Sequence, residues 1–188
     1  MPARSVYALG ARDGLWTGLA MSLVFVLFVM TADIPLLGLP AMAGFVFVPC
    51  MVWNFLRRRW VAADVPEQFA AVWLHGICIF LFGAIILAMA MYLTLNFIAP
   101  GWIEQQTIKA AMRLSTQPDA VDEARDVARI VENGLLPSPI RIAVSSIWLV
   151  AFTGSLWSMF FAAILTRTKH FRNKRRDYSM TQTNQTND

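Results

Sequence analysis

The sequence has little charge and few of the side chains that bind metals or form disulfides. Of its 188 residues only 15% are charged, two are cysteine and two are histidine, whereas soluble domains average about 25% charged residues. This composition excludes a disordered chain, a coiled coil and a disulfide-stabilised scaffold. Cys50 and Cys78 do not form a C-x-x-C pair, and with two histidines they cannot assemble a zinc or haem site. We therefore expect neither a metal nor another cofactor.

The sequence also lacks the short motifs of the large enzyme classes. It contains no Walker loop, no dinucleotide-binding glycine pattern, no H-E-x-x-H and no G-x-S-x-G. Gly154-Ser155 is without the flanking residues of a nucleophile elbow. No catalytic residue is predicted, and nucleic-acid binding is not expected.

Apolar residues dominate instead, at 57% of the chain, and they form four long runs at about 15–31, 39–56, 69–98 and 142–166. A membrane-spanning helix needs about 20 mostly apolar residues. Continuous rather than alternating apolar runs favour helices over a barrel. The sequence therefore predicts an all-α integral membrane protein with a four-helix bundle in residues 1–166. The first run is expected to be a retained span rather than a cleaved signal peptide.

The basic residues predict how the spans are oriented. The N-terminal segment, the connection after the second run and the C-terminal tail are rich in Arg and Lys, whereas the other two connections are not. Because short basic loops stay in the cytoplasm, both termini are predicted to be cytoplasmic. The tail, 167–188, is predicted to be basic and then disordered. The basic residues either fix the orientation alone or also bind anionic lipid; they are Arg57, Arg58, Arg59, Arg167, Lys169, Arg172, Lys174, Arg175 and Arg176.

The segment 102–136, between the third and fourth spans, is the one sizeable stretch outside the predicted membrane region. It is predicted to form two helices broken near Gln117-Pro118 and to end in a glycine cap at Gly134. In this topology it faces outward, away from the cytoplasm. One face of the second helix is apolar, and it carries Val121, Ala124, Ala128 and Val131. Such a segment can cap its own bundle, dock a partner or close over a ligand, and these alternatives stay open.

Small residues recur along single faces of three predicted spans. Helices in lipid associate through such faces because their backbones can approach closely. The faces serve either packing within the bundle or an interface in an oligomer or with another membrane protein. Their members are Gly10, Gly14, Gly18 and Ser22 on the first span, Gly76 and Gly83 on the third, and Gly154, Ser158 and Ala162 on the fourth.

Few polar side chains fall inside the predicted spans, and no Asp, Glu, Lys or Arg is expected deep within any of them. His75 could carry a proton or bind a ligand head group. We favour instead a hydrogen bond to a neighbour such as Asn54, or a position near the headgroups. Asn96 and Asn54 are interpreted as structural, and Pro49 predicts a kink that serves packing or, alternatively, a hinge.

The arrangement of spans and prolines resembles a known family. Arg57-Arg58-Arg59-Trp60, then Phe69, a long apolar run ending in Asn96-Phe97-Ile98-Ala99-Pro100, and Pro137-Ser138-Pro139 before the last span follow its order. The family is the bacterial integral membrane family called domain of unknown function 4199, and the resemblance covers the chain from about Gly10 to Lys169. It implies a bacterial inner membrane protein and carries over no activity and no catalytic residue.

Three functions are compatible with the sequence. The first is a non-enzymatic subunit or scaffold of a membrane assembly, favoured by the small-residue faces and the amphipathic outer helix. The second is permeation of a small solute or ion through an oligomer, which is suggested by Pro49 and by a few hydroxyl side chains within the spans. The third is a membrane enzyme acting on lipid or quinone, for which His75 is the one candidate residue.

Overall fold

The computed structural model describes residues 6–60, 69–116 and 121–185, without the side chains of Val121, Ala124 and residues 168–185. The described chain contains six α-helices and no strand, which confirms the all-α prediction. The helices are α1 (Val6–Met30), α2 (Gly38–Trp60), α3 (Phe69–Leu93), α4 (Trp102–Ser115), α5 (Val121–Glu132) and α6 (Pro139–Gln185).

Four segments are long and apolar enough to cross a membrane, as predicted: Val6–Met30, Pro35–Trp60, Phe69–Ile98 and Pro139–Arg167. The chain is a multi-pass membrane protein. The helix α1 begins at Val6, before the predicted start of the first span at about residue 15. Asp13 therefore lies inside α1, two turns from its start, where it is buried. The expectation of no acidic or basic residue deep within a span did not anticipate this position.

The helix α3 forms the centre of the bundle, and α1 packs along one side of it through glycines. A β-carbon added to Gly14 would lie 2.7 Å from Cβ of Phe82, and one added to Gly18 would lie 2.9 Å from the carbonyl oxygen of Gly83. Such distances are too short for a real side chain, so larger residues would push the two helices apart. The small-residue face of α1 thus lies against α3 of the same chain.

The helix α6 packs on α3 in the same manner. A β-carbon at Gly76 would lie 2.5 Å from Oγ of Ser158, and one at Gly154 would overlap the ring of Phe80. Ser158 and Ala162 are buried in this contact. Of the predicted packing residues, Ser22 is half-buried and donates its hydroxyl to the carbonyl of Gly18 within α1.

The helix α2 lies at the edge of the bundle and continues through Pro49. It packs on α1, where Gly44 lies against Val24. Towards its C-terminal end it joins an apolar core shared with α3 and α6. That core consists of Val52, Leu56, Val72, Ile79, Phe80, Phe161, Ala162 and Leu165.

A π-helical turn, Thr94–Ile98, ends the third span. The amide of Ala99 donates to the carbonyl of Thr94 at 2.8 Å. Pro100 then cannot continue the helix, and Gly101 adopts a φ of 79°, which lets the chain turn directly into α4. The span therefore ends where the Pro-Gly pair predicts.

The helices α4 and α5 form a hairpin that packs mainly on itself. No residue of α4 is buried, and its first residue, Trp102, contacts the ring of Phe28 in α1. After α5, Gly134 has a φ of 64°, and the amide of Leu135 returns to the carbonyl of Ile130 at 3.0 Å. This is the predicted glycine cap.

The last helix, α6, continues beyond the span to Gln185. The side chains after Arg167 lie outside the described residues, and the disorder expected in the tail stays a prediction.

Candidate functional site

One end of the bundle, the Asp13 end, brings together polar side chains from three helices. At this end α1 begins, α2 ends and α3 begins, because the three spans run alternately up and down. Asp13 lies on the same buried face of α1 as Gly10, Gly14 and Thr17. Arg59 and Trp60 are the last two residues of α2, and His75 lies in the second turn of α3. We call Asp13, Arg59, Trp60 and His75 the Asp13 cluster.

The strongest contact in the Asp13 cluster is a bidentate ion pair between Arg59 and Asp13. Arg59 donates from Nε to Oδ2 of Asp13 and from Nη2 to Oδ1, both at 2.5 Å. Asp13 is only 3% exposed, whereas the side chain of Arg59 is 27% exposed. A buried carboxylate is costly unless it is paired with good geometry, and the planar guanidinium fork provides that geometry.

The imidazole of His75 lies between Trp60 and Asp13 and contacts both. Its Nδ1 accepts a hydrogen bond from Nε1 of Trp60 at 2.9 Å. In the neutral ring this leaves the proton on Nε2, which lies 3.3 Å from Oδ2 of Asp13. The ring N–H is not aligned with that oxygen as a hydrogen bond requires. The contact is therefore electrostatic, between the ring N–H dipole and the carboxylate.

The side chains of the Asp13 cluster bind one another and so hold three helices together. His75 is fully buried, with one ring nitrogen bonded to Trp60 and the other facing Asp13, so neither nitrogen is presented to a substrate. Thr17 lies one turn further along α1 and donates its hydroxyl to the carbonyl of Asp13 at 2.9 Å. The polar groups of the cluster are directed at one another, and together they join α1, α2 and α3.

The family model described as Protein of unknown function (DUF4199) matches residues 12–167, a range that contains the four spans and the whole Asp13 cluster. The chain belongs to the DUF4199 family. No curated protein and no solved structure matches it. The resemblance stated from the sequence is thereby confirmed, and this membership assigns no activity.

In this DUF4199 protein the predicted polar candidates lie apart from one another. His75 bonds to Trp60 and faces Asp13, whereas Asn54, its expected partner, is exposed on α2. Asn96 is exposed in the π-helical turn at the other end of the bundle. Pro49 is half-buried and lines a cavity between the spans.

The predicted basic residues also separate into two groups. Arg59 is bound to Asp13, so it is unlike Arg57, Arg58 and Arg167, which are exposed. The side chains of the others lie outside the described residues; they are Lys169, Arg172, Lys174, Arg175 and Arg176.

The two cysteines are free thiols in different surroundings. Cys50 is exposed on α2, and Cys78 is buried in α3 beside Gly10. Among the residues that the structure describes, no three of the His, Cys, Asp and Glu side chains lie close enough to hold a metal ion.

Sequence reasoning missed Asp13 and Trp60. Hydropathy placed the start of the first span after Asp13, because a charged residue lowers the average of any window that contains it. A signal was nevertheless present, since the repeat of small residues begins at Gly10. A helix that includes Gly10, Gly14 and Gly18 necessarily carries Asp13 on or beside its packed face.

An apolar cavity of about 390 Å³, open on one side, lies among the spans of the DUF4199 protein. It lies between α1, α2, α3 and α6, and among its lining residues Ser146 and Thr153 are the two with hydroxyl groups. A hollow of about 400 Å³ adjoins it between α2 and α6. A third hollow, of about 550 Å³, lies between α4 and α5.

Proposed function

We propose that this protein is a non-enzymatic subunit or scaffold of a membrane assembly. We further propose that it lies in a bacterial inner membrane with both termini in the cytoplasm and docks a helix of a partner protein on the α4–α5 hairpin. The observation that carries this proposal is the apolar groove of the hairpin, which the chain's own spans leave uncovered.

The groove between α4 and α5 has the form of a helix-binding site. Ile108 and Met112 of α4 face Ala128 and Val131 of α5 across it, and Met112 is 63% exposed. An amphipathic helix binds such a groove through apolar residues spaced three and four apart. Charged residues lie at its edge, Arg125 and Glu132 among them, and a polar rim around an apolar centre is typical of protein interfaces.

The Asp13 cluster supports a non-enzymatic role over lipid or quinone chemistry. A general acid or base must reach the proton that it transfers. His75 is fully buried and both of its nitrogens face protein groups. Its geometry suits the fixing of helices better than reaction with a substrate.

The apolar lining of the central cavity weighs against the permeation of ions. A conducting path needs polar or charged groups that replace water around the ion. At Gly10, Gly14 and Gly18 the close contact of α1 with α3 leaves no space between these helices. Further along, the cavity between the spans is lined almost wholly by apolar side chains.

The proposed orientation is supported by exposed cations at the Asp13 end. Arg57 and Arg58 lie in the last turn of α2, and Arg167 lies at the end of the membrane-spanning part of α6. Basic residues beside spans favour the cytoplasmic side, and in the proposed orientation the α4–α5 hairpin lies outside.

The test is purification of the full chain from its native membrane in mild detergent, with identification of every stoichiometric component. We expect the wild-type protein and a Gln105→Glu control, which adds one negative charge on an exposed face of α4, to retain a second protein. Met112→Glu places the same charge in the groove and should release that protein. Retention of the partner by Met112→Glu, or a wild-type particle that contains this chain alone in several mild detergents, would contradict the proposal.

A further inference from the structure

The central cavity and the hollow beside it adjoin each other along α2 and α6. They share Phe45 and Pro49 of α2 and Trp157 of α6, and we call the whole the α2–α6 groove. Along α6 it extends from Ser146 to Phe161. At about 1.5 Å per residue this is a length of about 22 Å, which is most of a hydrocarbon core of about 30 Å.

The two walls of the groove belong to different parts of the bundle. The helix α2 packs chiefly on α1, whereas α6 packs on α3. Exposed aromatic rings stand on both walls, with Phe45 63% and Trp157 48% exposed. The groove therefore offers a long apolar surface to the surrounding lipid.

The α2 wall of the groove leads to a cation at the Asp13 end. Val46, Cys50 and Trp53 line this wall, and Arg57 follows one turn after Trp53 on the same face of the helix. Arg57 is exposed and makes no ion pair with any side chain that the structure describes. Arg58 is equally exposed but points to a different side of α2, about 100° further round at 3.6 residues per turn.

We propose that one anionic phospholipid of the surrounding membrane binds in the α2–α6 groove, with its phosphate on Arg57 and an acyl chain against Pro49 and Trp157. A guanidinium pairs with phosphate through two parallel hydrogen bonds. The apolar lining of the groove contacts the acyl chain. Trp53 lies at the depth where an indole ring is found between the headgroup and the acyl chain of a lipid. Charge complementarity selects an anionic headgroup over a zwitterionic one.

The experiment is native mass spectrometry of the full chain in detergent, titrated with phosphatidylglycerol and, separately, with phosphatidylcholine. We expect one phosphatidylglycerol to bind to the wild-type protein in preference to phosphatidylcholine. Arg57→Ala should weaken this binding about tenfold, the effect of losing one charged hydrogen-bond pair. The matched control Arg58→Ala removes the same charge from the same turn and should bind as wild type.

A second variant distinguishes the contribution of the acyl chain to binding from that of the headgroup. Cys50→Phe fills the groove and leaves Arg57 in place, so it should also reduce phosphatidylglycerol binding. Equal losses in Arg57→Ala and Arg58→Ala would show nonspecific attraction to basic residues and would overturn the proposal. Equal binding of the two lipids to the wild-type protein, or undiminished binding to Cys50→Phe, would overturn it as well.

Discussion

The two ends of the bundle differ in how their polar groups are paired. At the Asp13 end, a buried carboxylate is held by a guanidinium and faces an imidazole, and three helices meet on it. At the other end, the α4–α5 hairpin carries exposed ion pairs within a single helix, such as Asp122 with Arg125 at 3.2 Å. The first arrangement joins elements that are distant in sequence, whereas the second joins neighbours in the same turn.

This difference assigns different roles to the two ends. A buried pair is costly to break, because either partner alone is left as an uncompensated charge. An exposed pair contributes about 0–1 kcal/mol, since water and salt screen it. The Asp13 end thus fixes the relative positions of the spans, and the hairpin contributes little to that packing; under the proposed function its apolar surface receives the partner helix.

The largest expected effect is that of Asp13→Ala. It leaves Arg59 and His75 without their anion, and we expect a loss of about 3 kcal/mol in the free energy of unfolding, with Arg59's partial exposure keeping the loss at the low end of the range for buried pairs. Unfolding in mixed detergent micelles measures it. Asp33→Ala, which removes an exposed carboxylate from the turn after α1, is the control and should change stability by less than about 0.5 kcal/mol.

The contact of α1 with α3 is expected to be nearly as sensitive. Gly14→Val places a branched side chain against Phe82 and the carbonyl of Ile79, and overpacking of this kind costs about 1–3 kcal/mol. Ala43→Val adds bulk at an exposed position of α2 and should have little effect. If both variants unfold at the same denaturant concentration as wild type, close packing of α1 on α3 is not needed for stability.

A smaller effect is expected from Trp60→Phe. A smaller aromatic ring replaces the indole and Nδ1 of His75 loses its donor, and we expect a loss of about 1 kcal/mol. Trp148→Phe changes an exposed tryptophan of α6 and serves as the control in the same unfolding measurement. Identical stabilities for the two variants would show that the indole–imidazole bond contributes nothing.

The smallest effect is expected at the hairpin. Arg125→Ala removes an exposed pair with Asp122, and the free energy of unfolding should change by less than about 0.5 kcal/mol. A loss comparable to that of Asp13→Ala would remove the contrast between the two ends.

The number of spans and their helical class could be predicted because both depend on local composition. A run of about 20 apolar residues is recognisable without knowing its neighbours, and Pro100-Gly101 marks the end of the third span by backbone chemistry alone. The position of Asp13 could not be read in this way. Its partner Arg59 is 46 positions away, so the buried pair depends on how α1, α2 and α3 pack.

The role of the hairpin was likewise only partly predictable. Spacing along α5 predicts an amphipathic helix, and Ala128 and Val131 do line its groove with α4. Whether that hairpin covers its own bundle depends on the turn at Gly101 and the length of the third span, which local patterns do not determine.

The central claim is that Asp13 and Arg59 act as one buried pair that joins α1 to α2, and a double-mutant cycle tests it. The free energies of unfolding of Asp13→Ala, Arg59→Ala and the double variant are compared with wild type. We predict that the double variant loses less than the sum of the single losses, by about 1–3 kcal/mol. Additive losses, within about 0.5 kcal/mol, would contradict the claim.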